Sequence, residues 1–201
     1  MEAFARRSRP KWTSSGAAHP GIQFSQAVRL LIAEHHLNVV EAARLAAMQD
    51  VSLADAEVAC FNAKYHYACW RPYTAIHDAD TDGNPDSVPD PNWLPLDTTP
   101  GHPEYPAAHG CGSEALAAAL QAFFHRDHVH YQVTSSVTST THNFARFSDV
   151  VIEVDMARIF GGMHYRHSVL QGNVMGRAAA CYVLRRRFEV SCLEVWDKDD
   201  D

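Results

Sequence analysis

The sequence predicts an all-α fold, a helical bundle interrupted by one long irregular loop. Two observations lead to this prediction: apolar residues recur at helical spacing over most of the chain, and a stretch rich in Asp, Pro and Gly separates these segments at residues 77–106. The chain has 201 residues, of which 46% are hydrophobic, so it can bury a substantial core. Irregular segments of this length usually serve a functional site.

Helical periodicity before the loop begins at residue 24. Residues 24–36 predict a first helix, and Asn38 is a favourable N-cap for a second. Ser52 can cap a third helix, which Pro72 forces to end near Arg71 because proline cannot continue a helix. Three helices are therefore expected before the loop.

Three further helices are expected after the loop. The first begins within residues 107–124, where alanines and larger apolar residues build one face. A Ser/Thr-rich stretch follows at 125–143 and predicts either a short strand or more loop. Helical periodicity resumes over 147–160, is broken by a Gly-Gly pair at 161–162, and returns over 168–188.

The ends of the chain differ in composition from its middle. We expect an N-terminal tail over residues 1–23, a helical domain over 24–190 and an acidic C-terminal tail over 191–201. No run approaches eighteen uninterrupted apolar residues, and the charged N-terminus has no apolar stretch behind it. The sequence therefore predicts no membrane span and contains no visible signal peptide, so we expect a soluble protein and leave its compartment open.

Net charge argues against one class of partner. The formal charge is −7 at pH 7, so the chain as a whole does not attract nucleic acid, and none is expected as a partner. Any site for an anion must therefore be formed by a local group of cations.

The five cysteines predict reduced thiols. Their number is odd, they are scattered along the chain, and no two of them form a CxxC pair. This pattern disfavours a disulfide framework and a zinc site, and we expect the cysteines to be unpaired core residues.

Two cations stand in an otherwise apolar and aromatic segment, "KYHYACWRP". Lys64 and Arg71 are seven residues apart on the same predicted helix, so both side chains would leave one face. Most such residues are solvated, and an exposed stripe is the simpler interpretation. Arg71 nevertheless precedes a helix-ending proline, and the ends of elements often carry functional residues.

A third cation and a histidine flank the Gly-Gly pair in "ARIFGGMHYRHS". Arg158 and His164 would point to different sides of a continuous helix, but the glycines let the chain turn and bring both toward one point. A helix C-cap at Gly161 followed by a surface loop explains the same residues. A second histidine, His109 in "PEYPAAHG", lies where a helix begins, and the free N–H groups there attract anions.

Together these segments predict a site for a tetrahedral oxyanion. Three cations and the N–H groups of a helix start are more than a single carboxylate needs. Forked arginines bind pairs of oxygens, and a lysine adds a point charge. Phosphate and vanadate both fit this description.

The three segments resemble the signature blocks of a known superfamily. The patterns K-x6-R-P, P-A-A-H-G and A-R-x5-H occur in the order, and with the internal spacing, of blocks shared by vanadium-dependent haloperoxidases and type 2 phosphatidic acid phosphatases. The surrounding residues are more similar to the soluble haloperoxidases, and the match covers about residues 25–187. The resemblance implies a helical bundle of the phosphatidic acid phosphatase and haloperoxidase type.

Carried over by position, the resemblance implies a role for each matching residue. The histidine of the third block, His164, would ligate the metal of a vanadate cofactor, and His109 would be the acid–base group. The residues implied to bind the oxygens of vanadate, for which phosphate would compete, are Lys64, Arg71, Ala108, Gly110 and Arg158.

The implied activity is oxidation of a halide by hydrogen peroxide at a histidine-ligated vanadate, which acts as a Lewis acid without changing oxidation state. An alternative within the superfamily is hydrolysis of a phosphoester, in which His164 attacks phosphorus and His109 protonates the leaving oxygen. A third hypothesis is a helical protein that binds an oxyanion without turnover. The expected partners are therefore small molecules: hydrogen peroxide, a halide or a phosphoester.

Several features depart from the family pattern. Ala107 and Ala108 replace a Ser-Gly pair, which removes a hydroxyl that would bond an oxyanion oxygen. Ser168 stands where an aspartate would orient His164, so the orienting group is expected to be weaker or to lie elsewhere. Fewer helices precede Lys64 than in relatives, which leaves three explanations: a fragment, a minimal version, or a bundle completed by another chain in a homo-oligomer.

Overall fold

The computed structural model of this chain describes residues 20–135 and 139–192, and these confirm the all-α class. The expected tails lie mostly outside the described residues, although the first helix begins at Pro20. None of the helices within the described ranges is long and apolar enough to cross a membrane. The elements are α1 (Pro20–Glu34), α2 (Val39–Tyr67), α3 (Pro72–His77), α4 (Ala108–Phe124), β1 (His128–Thr134), β2 (Thr141–Arg146), α5 (Phe147–Phe160) and α6 (Arg166–Arg187).

Helix α2 corrects the prediction of two separate helices between Asn38 and Arg71. The Asn38 side chain accepts hydrogen bonds from two N–H groups of the first turn. The Glu41 carboxylate in turn accepts a hydrogen bond from the Asn38 N–H, which completes a capping box. Ser52 is buried inside the same continuous helix and caps nothing. The helix ends at Tyr67, where Ala68 adopts a left-handed conformation, four residues before Arg71.

Helix α4 is the centre of the bundle and is buried over most of its length. It packs against α2, α5 and α6, and its small residues allow close approach. A side chain at Gly172 of α6 would place its Cβ 2.5 Å from the Ala107 carbonyl oxygen, and one at Gly176 would clash with the Cys111 carbonyl. The first turn of α4 is therefore in main-chain contact with the second and third turns of α6, which fixes how closely the two helices pack next to the predicted site.

The Ser/Thr-rich segment forms a β-hairpin, so of the two predicted outcomes the strand is confirmed. Strands β1 and β2 pair antiparallel, with Tyr131 opposite Phe144 and Thr134 opposite Thr141. Alternate residues of β1 are buried, among them Val129 and Val133, and they pack into the main apolar cluster with α1 and α5.

The long loop between α3 and α4 is held against the helix ends that surround the predicted site. Gly162, which follows α5, has a φ of +75°, and an added Cβ there would lie 3.0 Å from the ring of Trp93 in the loop. Three backbone hydrogen bonds complete the attachment. The donor and acceptor residues are Leu96 and Gly161 (3.1 Å), Glu104 and Cys69 (3.0 Å), and Ala107 and Ser168 (3.1 Å).

The expectation that every cysteine is reduced is wrong for one pair. Cys181 of α6 is joined to Cys192 by a disulfide that closes an 11-residue separation around the helix C-terminus. Cys60 and Cys111 are buried free thiols, as expected, whereas Cys69 is free but exposed and so is not a core residue. Spacing alone did not reveal the pair, because the two residues come together only where the chain turns back after α6.

Replacing Cys192 by serine is expected to lower the free energy of unfolding by roughly 2–3 kcal/mol, because the open chain regains the entropy of an 11-residue loop. Urea denaturation of the oxidised protein measures this difference. Cys69→Ser is the matched control, since that thiol is exposed and unpaired, and it should leave the midpoint unchanged. Equal midpoints for all three proteins would contradict a stabilising bond.

Candidate oxyanion site

Three buried cations lie together beneath the long loop. The exposed fractions of Lys64, Arg71 and Arg158 are 0%, 5% and 2%, and we call these three residues the cationic cluster. Because α2 ends at Tyr67, Lys64 and Arg71 do not share one helix, which corrects the prediction. Both nevertheless donate to the same carbonyl, that of Pro103, from Lys64 Nζ at 3.0 Å and Arg71 Nη2 at 3.4 Å.

Burial destabilises the charged forms of the three side chains in this cluster. Loss of solvation is the largest cause that lowers the pKa of Lys64 to about 8, of Arg71 to about 10 and of Arg158 to about 9. The charge of Arg71 lowers the pKa of both other members further, so the three cations repel one another. A bound anion would relieve this repulsion, which is why such a cluster suits an oxyanion.

His164 lies against the cluster, and its tautomer follows from its hydrogen bonds. Arg71 Nη1 is 2.9 Å from His164 Nε2, and a guanidinium can only donate, so Nε2 carries a lone pair. The ring proton therefore resides on Nδ1, which donates to Glu104 Oε1 at 2.7 Å. Burial, followed by the charges of the cationic cluster, lowers the pKa of His164 well below its usual range and keeps the ring neutral.

Glu104 is the orienting group that the sequence did not reveal. Its side chain is almost fully buried and accepts from His164 and from the N–H of Tyr165 at 3.1 Å. Its carbonyl oxygen accepts from Lys64 Nζ at 3.1 Å and from the Ser168 hydroxyl at 3.4 Å. The carboxylate expected at position 168 is thus supplied by the loop from "PEYPAAHG", two residues beyond His102.

The start of α4 brings backbone N–H groups to the same region. Ala107 is the N-cap and has no side chain that could bond the first N–H groups, so those of Ala108 and Gly110 have no intrahelical acceptor. A Cβ at position 110 would lie 2.8 Å from Asn173 Oδ1, which explains the glycine. His109 lies in the same turn and contributes to the lowered pKa of His164, so the two rings are within electrostatic reach.

A cavity of about 210 Å³ adjoins the site. Its mostly apolar wall includes Glu57, Phe61, His102, His109, Gly112 and Ser113, and we call it the Glu57 cavity. Burial, then the charges of the cationic cluster, lower the pKa of His102 to about 4, so its ring is neutral at pH 7. The structure thus brings together every residue that the sequence named and adds Glu104, Glu57 and His102.

Fold and site define a helical-bundle protein with a buried, net-cationic pocket built around the neutral ring of His164. Residues 44–190, nearly three quarters of the chain, match the VCPO second helical-bundle domain. The chain belongs to this family.

The relatives are vanadium haloperoxidases. Vanadium chloroperoxidase of Curvularia inaequalis is 29% identical over an alignment of 103 residues, with 46% of this chain and 16% of that protein covered. A bacterial vanadium-dependent iodoperoxidase structure matches with a TM-score of 0.78 and 24% identity, over 90% of this chain and 42% of its own. An apo bacterial vanadium-dependent chloroperoxidase structure matches with a TM-score of 0.59 and 17% identity, over 72% of this chain and 37% of its own. The chain therefore spans less than half of each.

Proposed function

We propose that this chain carries the active site of a vanadate-dependent haloperoxidase-like enzyme, which oxidises a halide with hydrogen peroxide. The observation that supports it most is the His164 ring, which burial keeps neutral and whose unprotonated Nε2 faces Arg71 of the cationic cluster. Membership of the VCPO domain family supports the same proposal.

The donor set fits vanadate. A metal in this position needs one unprotonated imidazole nitrogen, and His164 Nε2, which accepts from Arg71 of the cationic cluster in this structure, is such a nitrogen. The oxygens of vanadate need charged and neutral N–H donors, which the cationic cluster and the N–H groups of Ala108 and Gly110 would supply. Bound vanadate would supply a Lewis acid that activates peroxide toward halide at constant oxidation state.

The residues of the chain have separate tasks in this proposal. The cationic cluster holds negative charge on the bound oxygens, in a site from which burial removes water. Glu104 keeps the ring proton of His164 on Nδ1, so that Nε2 is unprotonated; Nε2 accepts from Arg71 in this structure and would bind the metal in place of that hydrogen bond. His109 lines the adjoining cavity and would take up and return the proton as peroxide binds.

Binding and turnover can be measured on the same sample of full-length chain. Orthovanadate is titrated by calorimetry, and bromination of a dye is then followed with bromide and peroxide. Binding with bromination supports the proposal. Binding with release of phosphate from p-nitrophenyl phosphate, and no bromination, would favour the phosphoester alternative, and binding with neither would favour the non-catalytic alternative. No binding by the folded chain would overturn all three.

Replacing Glu104 by glutamine is expected to weaken orthovanadate binding by about 10–100-fold, because an amide can donate to Nδ1 and shift the ring proton to Nε2. Calorimetry measures the affinity. Glu34→Gln is the matched control, since it makes the same chemical change at an exposed position near the end of α1, and it should leave the affinity within twofold of the wild type. A Glu104→Gln variant with native affinity would remove Glu104 from the site.

A further inference from the structure

The Glu57 cavity contains one polar group that nothing described so far uses. The Glu57 carboxyl Oε1 lies so close to Gly112 that a Cβ there would be 2.9 Å away. Within residues 20–135 and 139–192, this carboxyl group makes no hydrogen bond. Burial raises its pKa to about 7, and the charge of Lys64 offsets part of that rise. A shielded carboxyl group in a cavity is an acceptor for a hydrogen bond from a ligand.

The cavity has the size and walls for one aromatic ring. An apolar cavity of about 150 Å³ can hold benzene, and the Glu57 cavity has about 210 Å³. Phe61 lies one turn beyond Glu57 on the same face of α2, and its ring centre is 5.1 Å from that of His102. Val154 and Ala108 complete the apolar wall, so a flat ring meets apolar surface on several sides while its substituent reaches the carboxyl group.

The charge of the surroundings selects a neutral ligand. All three members of the cationic cluster lower the pKa of His102, so their positive potential extends to the cavity wall. That potential disfavours an ammonium group, and Glu57 itself disfavours a second carboxylate. A neutral hydroxyl group can donate to Glu57 without either penalty.

We propose that the Glu57 cavity binds a small neutral phenol, whose hydroxyl donates to Glu57 while its ring packs against Phe61. His109 lies in the wall of the same cavity and in the first turn of α4, so the bound ring is next to the oxyanion site. Glu57 thereby acts as a specificity-determining residue that selects a hydroxyl donor over a plain hydrocarbon ring.

A role for the phenol as the organic acceptor rests on the proposed function, whereas its binding does not. In that role, hypohalous acid from the oxidised halide transfers its halogen to a ring carbon. The proton of that carbon and the hydroxide of the acid leave together as water, so the reaction needs no further oxidant.

Phenol binding is tested on the isotope-labelled full chain by NMR titration at pH 8, where Glu57 is ionised and phenol, with a hydroxyl like that of tyrosine, is neutral. Toluene and benzylammonium are titrated in parallel. We expect phenol to shift the amide signals of Phe61, His109 and Gly112, and to bind at least about tenfold more tightly than toluene and than benzylammonium. Equal binding of phenol and toluene, or tighter binding of benzylammonium, would overturn the proposal.

Glu57→Gln keeps the shape of the side chain and removes its charge. It should weaken the binding of phenol at least about fivefold and leave the affinity for toluene unchanged. Asp55→Asn, on the exposed side of the same helix, is the matched control and should bind phenol as the wild type does. Native phenol affinity in the Gln variant would remove Glu57 from the site. Phenol binding by a chain that fails to brominate would leave this inference standing and overturn the proposed function, and bromination without phenol binding would do the reverse.

Discussion

Replacing His164 by alanine is expected to abolish orthovanadate binding and bromide oxidation together. The variant removes the ring nitrogen that is proposed to bind the metal, and it leaves Arg71 and Glu104 without their shared partner. Loss of residues that merely orient a metal ligand costs about 10–100-fold in affinity, so loss of the ligand itself should exceed about 100-fold. Turnover should fall to the level of the solution without enzyme.

Calorimetry and dye bromination on the same preparation measure both effects. His167→Ala is a suitable control, because this exposed histidine lies three residues further on and only stacks on Tyr105, at 5.8 Å between ring centres. It should leave binding and turnover within twofold of the wild type, since it makes no contact with the cluster. An alanine variant at 164 that binds orthovanadate normally would refute the metal-ligand role.

Replacing His109 by alanine should lower turnover far more than it lowers orthovanadate binding. The variant keeps His164, Glu104 and the cationic cluster, so orthovanadate should still bind, with an affinity lowered by no more than about tenfold for one lost hydrogen bond to a charged group. Turnover should fall by about 100- to 10,000-fold, because general acid–base groups contribute on that scale.

The separation is read from binding and turnover as functions of pH. The wild type should have a turnover profile with an ionisation that the His109→Ala variant lacks, whereas a purely structural role would lower turnover equally at every pH. Exposed His130 on β1 provides the control, and His130→Ala should reproduce the wild-type profile. A profile of wild-type shape in the His109 variant would assign proton transfer to another group.

The helices after the loop could be predicted closely because their signals are local. The Gly-Gly pair ends α5 as expected, with Gly161 as the C-cap and Gly162 at positive φ. Helix α4 begins within the segment predicted for it, and α6 begins two residues before its predicted start. Before the loop, the same local reasoning failed at Ser52. A serine can cap a helix or lie inside one, and here packing against the core decides for the interior.

Glu104 could not be predicted because its role depends on contacts far apart in sequence. It lies 60 residues before His164, and no spacing rule connects them. The motif "PEYPAAHG" contains both Glu104 and His109, but its spacing predicts a role for His109 and none for Glu104. The tautomer of His164 is likewise a property of the assembled site, because it is fixed by one donor from Arg71, just before α3, and one acceptor from the loop.

The main-chain contact between α4 and α6 has a consequence for how the site can change. His109 lies in the first turn of α4 and His164 lies two residues before α6, and Gly172 and Gly176 leave no side chain between the backbones of these helices. The distance between the two helices at this contact is therefore set by backbone atoms, and a change of side-chain rotamer cannot alter it. The loop and the cavity wall are therefore the places where substitutions can change specificity, because their side chains can be exchanged without moving α4 relative to α6.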